Sequence, residues 1–236
     1  MIKAVLFDLD ATLLPMDQDV FLRRYGELMA TKMAPYGYDP EEFLKVIWEG
    51  VYKEAVNDGS RTNQQVFWDN FTSHFGPESR KMEPVFEEFY HNELQISKEE
   101  CNPTPLADEI IKMVKQSGRK IILATNPYFP EIATMYRIQW AGMDKNDFDF
   151  VTFFENSSFS KPNPKYFLWL ADLIGVSPEE CIMVGNDVEE DMVAESLGMK
   201  VFLVDTNIIN TKNKDIGRYP HGSLEDLKVF LKKELE

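Results

Sequence analysis

AVLFDLDATLL, residues 4–14, runs from a block of apolar side chains straight into two aspartates, Asp8 and Asp10, with one residue between them. A short, continuous apolar run that ends abruptly in polar residues reads as a strand buried on both faces. The stretch beyond it decides the architecture. From Pro15 to about Asn102 the chain shows helical periodicity and no convincing strand, so the first strand must find its neighbours much later in the sequence.

Four later runs have the same strand character: KIILAT from Lys120, FVTFF from Phe150, CIMVG from Cys181 and VFLVD from Val201. Helical segments with readable ends lie beside them. Thr104, Asn163 and Ser223 stand at N-cap positions; Pro105 and Pro164 come directly after the first two, and Gly118 and Gly175 close those segments. Strands alternating with helices predict an α/β fold, a parallel sheet covered on both faces. In the intervening region, Asp39 and Thr62 each begin a segment with a capping-box residue three positions on, Glu42 and Gln65. The expected organisation is therefore an α/β core of residues 1–15 and 103–236, interrupted by a helical cap of residues 16–102.

A net charge of −15 and a pI near 4.7 repel phosphate backbones and anionic lipid, so neither nucleic acid nor membrane is expected as a partner. The amino-terminal stretch lacks the apolar segment and cleavage site of a signal peptide, and no apolar run approaches the roughly 18 residues a membrane span needs. A cytoplasmic protein is the expectation. Cys101 and Cys181 form no CxxC pair, and His74, His91 and His221 have no ligand spacing. Serine-hydrolase, dinucleotide and P-loop motifs are absent.

Ligands of open α/β sheets sit outside the carboxyl ends of the strands. Asp8 and Asp10 end the first strand, Thr125 and Asn126 the second, and Asn186, Asp187 and Asp191 come after the fourth; Lys161 lies in a loop leading into the helix capped by Asn163. Four separated segments thus bring acids, a hydroxyl and one cation to the same predicted edge. Adjacent carboxylates tolerate one another when a divalent cation lies between them or one of them takes a proton. Both conditions suit phosphoryl transfer.

The set and its order resemble the haloacid dehalogenase (HAD) superfamily of hydrolases, mostly magnesium-dependent phosphatases. DLDAT matches the family's DxDxT, LATN its hydroxyl motif, SKPNPKYF its lysine motif and VGNDVEEDM its acidic motif. An insertion between the first and second motifs is the family's helical-cap position, and Thr125 and Lys161 are too close in sequence to admit the alternative cap.

The resemblance implies a Rossmann-like core and Mg²⁺-dependent hydrolysis of a small phosphorylated metabolite. Asp8 would be the nucleophile and Asp10 the general acid and base. Thr125, Asn126 and Lys161 would hold the phosphoryl group. Asp8, the Asp10 main-chain carbonyl and one acidic-motif carboxylate would bind the metal. Two departures stand out. Ala11 occupies the position where the family often has glycine, which implies a backbone angle that alanine accepts. The acidic motif reads GND rather than GD, so the ligand is either Asn186, with Asp191 in support, or Asp187; the charged carboxylate favours Asp187. Phosphotransfer of the phosphomutase kind and a non-catalytic phosphate-binding module are the alternative readings, and oligomeric state is open.

Overall fold

The computed structural model describes all residues from Met1 to Glu236. Its centre is β1 (Ala4–Phe7), flanked by β2 (Lys120–Leu123) and β4 (Cys181–Gly185); β3 (Phe150–Val151), β5 (Lys200–Val204) and β6 (His221–Gly222) extend a sheet of order β3-β2-β1-β4-β5-β6. Every pairing is parallel. The α/β fold class read from the sequence is the one observed, and β6 is an addition to it. No helix is long and apolar enough to cross a membrane.

Side-chain alternation along each strand feeds two apolar layers. Val5, Phe7, Ile121, Leu123, Ile182 and Val184 join one cluster of buried residues. Ala4, Leu6, Ile122, Cys181, Met183 and Leu203 join the other. Because both faces are covered, β1 is buried at all four positions, which is why it reads as an unbroken apolar run.

Helices α1 (Gln18–Met33), α2 (Pro40–Ala55), α3 (Asn63–Phe75) and α4 (Glu83–His91) occupy the stretch after β1, and α5 (Pro105–Gln116), α6 (Glu131–Trp140), α7 (Pro164–Leu173) and α8 (Leu224–Leu235) come later. The local signals act where they are read. Asp39 accepts from the amides of Glu41 and Glu42, Thr62 and Gln65 form a reciprocal capping box, and Asn163 and Ser223 accept from the Lys165 and Asp226 amides. Each such cap contributes about 1 kcal/mol.

The chain leaves the sheet and returns to it side by side: Met16 and Cys101 form an antiparallel bridge, and the Asn102 amide donates to the Pro15 carbonyl at 2.7 Å. The inserted helices do not keep an apolar interior to themselves. Phe21, Phe43, Phe71 and Phe89 belong to the same buried cluster as Val5 and Phe7. Tyr25 meets Phe129 edge-on with ring centroids 5.2 Å apart, joining α1 to the loop after β2.

Candidate active site

β1 and β4 run in register, Phe7 opposite Val184, so Asp8 and the Asn186–Asp187 pair emerge together just beyond the strand ends. β2 lies on the other side with Leu123 opposite Phe7, which brings Thr125 and Asn126 to the same edge. Asp8, Asp10, Thr125, Asn126, Lys161, Asn186, Asp187 and Asp191 all border one cavity of about 340 Å³. The structure therefore gathers every site residue named from the sequence.

Lys161 is the electrostatic centre. Only 2% exposed, it donates to Asp8 Oδ1 at 2.8 Å and to Asp191 Oδ1 at 2.6 Å. Burial alone would lower its pKa, yet the Asp191 and Asp8 carboxylates outweigh that and hold it well above the usual lysine value. Thr12 Oγ1 contacts Asp8 Oδ2 at 3.1 Å and Asn186 Oδ1 at 2.9 Å. Asn186 Nδ2 in turn donates to the Asn207 carbonyl at 2.8 Å.

Asp191 does not act as a side-chain cap for the segment after it. Its Oδ2 accepts from the Asp187 amide at 3.0 Å, so it fixes the acidic loop from below while pairing with Lys161. Gly185 makes this possible, because a Cβ there would lie 2.1 Å from Asp191 Oδ2. Asp187 spends Oδ1 on the amides of Glu189 and Glu190, at 2.7 and 2.8 Å. The chain of contacts leading away from Asp8 thus passes to Asn186, while Asp187 organises its own turn and borders the cavity from there.

Asn126 bridges two loops. Its Oδ1 accepts from the Lys161 amide at 2.8 Å, and its Nδ2 donates to Glu190. The Thr125 carbonyl is held by Thr152 Oγ1 at 2.6 Å and Tyr166 Oη at 2.9 Å, a buried clamp that fixes the end of β2.

Three features depart from the sequence reading: two it passed over and one it misjudged. Arg137 on α6, 1% exposed, pairs with Asp10 Oδ2. Its guanidinium lies 4.3 Å from the Phe129 ring centroid, and Asp10 Oδ1 is left buried without a partner. Burial raises the Asp10 pKa, Arg137 opposes this, and Asp8 adds to the rise. The second feature is Ala11, with φ of 60°. The expectation of an angle that alanine accepts is corrected: this is the left-handed region, which costs a side chain with a Cβ about 1–2 kcal/mol. The turn that imposes it is closed by Ala11 N donating to the Leu14 carbonyl at 2.9 Å.

The third is Glu190, which lines the cavity. Burial, reinforced by Asp187, Asp191 and Asp8 against the pull of Lys161, pushes it up to about 8. Asp191 is likewise pushed up, by burial first, to about 7. Burial also raises Asp187. Five acids, Asp8, Asp10, Asp187, Glu190 and Asp191, thus surround two cations, Lys161 and Arg137.

No three Asp, Glu, His or Cys side chains converge as a ready-made metal cage. The donors at hand are nonetheless all oxygen: the Asp8 carboxylate, the Asp10 main chain, and the Asn186 or Asp187 side chain. Oxygen donors, an orphaned Asp10 oxygen and an excess of buried negative charge fit a hard dication that keeps several waters.

Comparison with known proteins finds relatives in both sequence and fold. The sequence profile of haloacid dehalogenase-like hydrolases matches residues 2–196. The chain is 25% identical over 244 residues to human N-acylneuraminate-9-phosphatase, covering 98% of this chain and 94% of that one. It is 25% identical over 207 residues to a bifunctional riboflavin kinase/FMN phosphatase of Arabidopsis thaliana, covering 86% of this chain but about half, 48%, of that longer protein. The crystal structure of a HAD phosphatase from Thermococcus onnurineus superposes with a TM-score of 0.61 at 22% identity, covering 98% of each chain. The profile match, the parallel sheet and the shared fold together establish that this chain belongs to the haloacid dehalogenase-like hydrolase family.

Proposed function

We propose that the protein is a Mg²⁺-dependent phosphatase that hydrolyses a small phosphomonoester in the cytoplasm through an aspartyl-phosphate intermediate. The observation that carries this is the Asp8–Lys161–Asp191 arrangement at the ends of β1 and β4, beside a second carboxyl, Asp10, whose pKa is raised by burial. The names of the relatives, phosphatases acting on phosphorylated small molecules, point the same way.

An Asp8 oxygen attacks phosphorus in line with the ester bond, the phosphorus–oxygen bond to the alcohol breaks, and Asp10 gives its proton to the departing oxygen. Arg137 holds Asp10 Oδ2 and leaves Oδ1 free to reach that oxygen. Asp10 then takes a proton from water as the water attacks phosphorus, which releases phosphate and restores the Asp8 carboxylate. Lys161 offsets the charge that grows on the phosphoryl oxygens, and Thr125 Oγ1 and the Asn126 amide orient them. Asp8, the Asp10 carbonyl and the Asn186–Asp187 pair would hold Mg²⁺; when bound, it screens the repulsion between Asp8 and the incoming phosphate. The helices of residues 16–102 serve as the cap domain on a core of 1–15 and 103–236, excluding bulk water from the first step.

The test is phosphate release from an aryl phosphate and from a panel of phosphorylated metabolites, with and without Mg²⁺. Turnover should require the metal and fall at least about 10³-fold in Asp8→Asn, as expected for loss of a nucleophile. Release that ignores both changes ends this reading, and isomerised sugar phosphate in place of free phosphate redirects it to phosphotransfer.

A further inference from the structure

Two cavities lie side by side in this molecule, and three rings stand between them. Phe67 of α3, Tyr90 of α4 and Phe154, in the loop after β3, line the cavity that holds Asp8. The same three line a second cavity of about 430 Å³, which none of the candidate site residues borders. Each ring-bearing residue is only 8% exposed, so this is a packed layer. Phe67 and Phe154 lie with ring centroids 6.3 Å apart, within the range of an aromatic pair. One ring comes from the inserted helices and the other from the sheet side.

The backbone behind the layer is stitched across the same boundary. The Phe154 amide donates to the Phe129 carbonyl at 3.0 Å, and the Phe154 carbonyl accepts from the Gln64 amide at 2.9 Å. Asn63 donates its amide to the Ser157 carbonyl at 2.8 Å and its side chain to Ser160 Oγ at 3.0 Å. Ser160 Oγ donates in turn to the main-chain carbonyl of Glu54, at the end of α2, at 3.1 Å. Glu54 itself is fully buried with no partner for either carboxyl oxygen. It lies near the hydroxyls of Tyr25 and Tyr90, which are 3.2 Å apart. The first turn of α3 cannot leave the Phe154 loop without breaking several of these bonds at once, and buried groups left unpaired are costly. The layer is therefore a wall and not a gate.

With the phosphoryl group at the sheet edge among Asp8, Thr125 and Lys161, the alcohol is left to extend toward the rings. We propose that Phe67, Tyr90 and Phe154 set the length of that alcohol: esters of compact alcohols fit against the wall, and extended ones are refused although open space lies just beyond it. This rests on the phosphatase reading for the position of the phosphoryl group and deepens it by naming the residues that bound the leaving group. The cavity on the catalytic side, about 340 Å³, is at the low end of ligand pockets, which suits a compact occupant. Phe154 is the decisive ring, because its backbone is held on both sides and only its side chain blocks the way.

Phenylphosphonate and biphenyl-4-ylphosphonate test this, since both are rigid and neither can be hydrolysed. Titrated into the wild-type protein with Mg²⁺ in a calorimeter, the single ring should bind at least about 10-fold more tightly, although the second ring offers more apolar surface to bury. In Phe154→Ala the longer ligand should gain at least about 10-fold relative to the shorter, and in Phe154→Leu it should gain less. A gain of binding cannot come from a damaged fold, and the leucine variant keeps the test open if the alanine variant does not fold. Wild-type affinity for the longer ligand equal to or above that for the shorter overturns the inference without any variant. An unchanged ratio in a folded Phe154→Ala or Phe154→Leu protein overturns the role of Phe154. Phosphate release from phenyl phosphate without length discrimination defeats only this inference. Length discrimination without release from any ester upholds it and defeats the phosphatase reading instead.

Discussion

The sheet edge and the interior under α2 hold buried acids in opposite ways. At the sheet edge, acids are crowded but cross-linked: one lysine joins Asp8 to Asp191, Thr12 joins Asp8 to Asn186, and Asp191 ties down the acidic loop. Under α2, a single acid is buried with no link at all. A cross-linked set is rigid and suits a reaction whose geometry cannot vary. An acid buried without a link costs stability instead.

The sharpest way to break the comparison is at Lys161. Lys161→Met leaves Asp8 and Asp191 buried without their common partner, and removing one member of a buried ion pair costs about 3–5 kcal/mol. Urea unfolding should show a loss of that size together with loss of phosphate release. A loss under about 1 kcal/mol would mean that the sheet-edge network is not cross-linked in the sense described.

A smaller effect is expected from the metal. Binding a dication among an excess of buried acids stabilises only the folded chain, by about 2.7 kcal/mol at a hundred times its dissociation constant. The midpoint of thermal unfolding should rise with Mg²⁺ concentration in the wild type. In Glu54→Leu it should rise by the same amount, since that residue does not line the cavity.

The smallest effect sharpens the comparison from the cap side. Replacing Glu54 by Leu removes two unmet oxygens, and stability should rise by about 1 kcal/mol. The gain depends on pH. The unfolded chain ionises Glu54 near the ordinary glutamate value of 4.5, whereas burial raises the folded value well above it. In between, the folded state binds more protons, so wild-type stability from this residue is full below pH 4.5 and declines as pH rises toward the folded value. The advantage of Glu54→Leu should accordingly widen with pH over that range. An advantage that narrows instead would show that Glu54 has a partner.

Much of this molecule is legible along the chain because its determinants are local. Double-sided burial makes β1, β2, β4 and β5 continuous apolar runs, and caps such as Asp39, Thr62 and Asn163 act within three residues of themselves. β6 is two residues long with no apolar side chain, and only its pairing with β5 defines it. α6 begins at Glu131, and Pro130 at its N-cap supplies no side-chain hydrogen bond, so it offers no start signal. Arg137 and Glu54 escape notice for a different reason. A lone arginine or glutamate on a helix reads as part of a solvated face, and only tertiary packing puts Arg137 against Asp10 and Glu54 under the tyrosines. The link from Asp8 to Asn186 passes through Thr12, which lies 174 residues from Asn186 in sequence, so no local pattern announces it.

The paired crossings at Pro15–Met16 and Cys101–Asn102 have a consequence for how such a protein can change. Both passages between sheet and helices occur at a single seam, so the length and content of everything between them are free of the strand register. A different roof could be spliced onto the same floor if it kept that seam and met the rings of Phe129 and Phe154. New substrates are then reached by replacing one contiguous segment, with the chemical machinery left untouched.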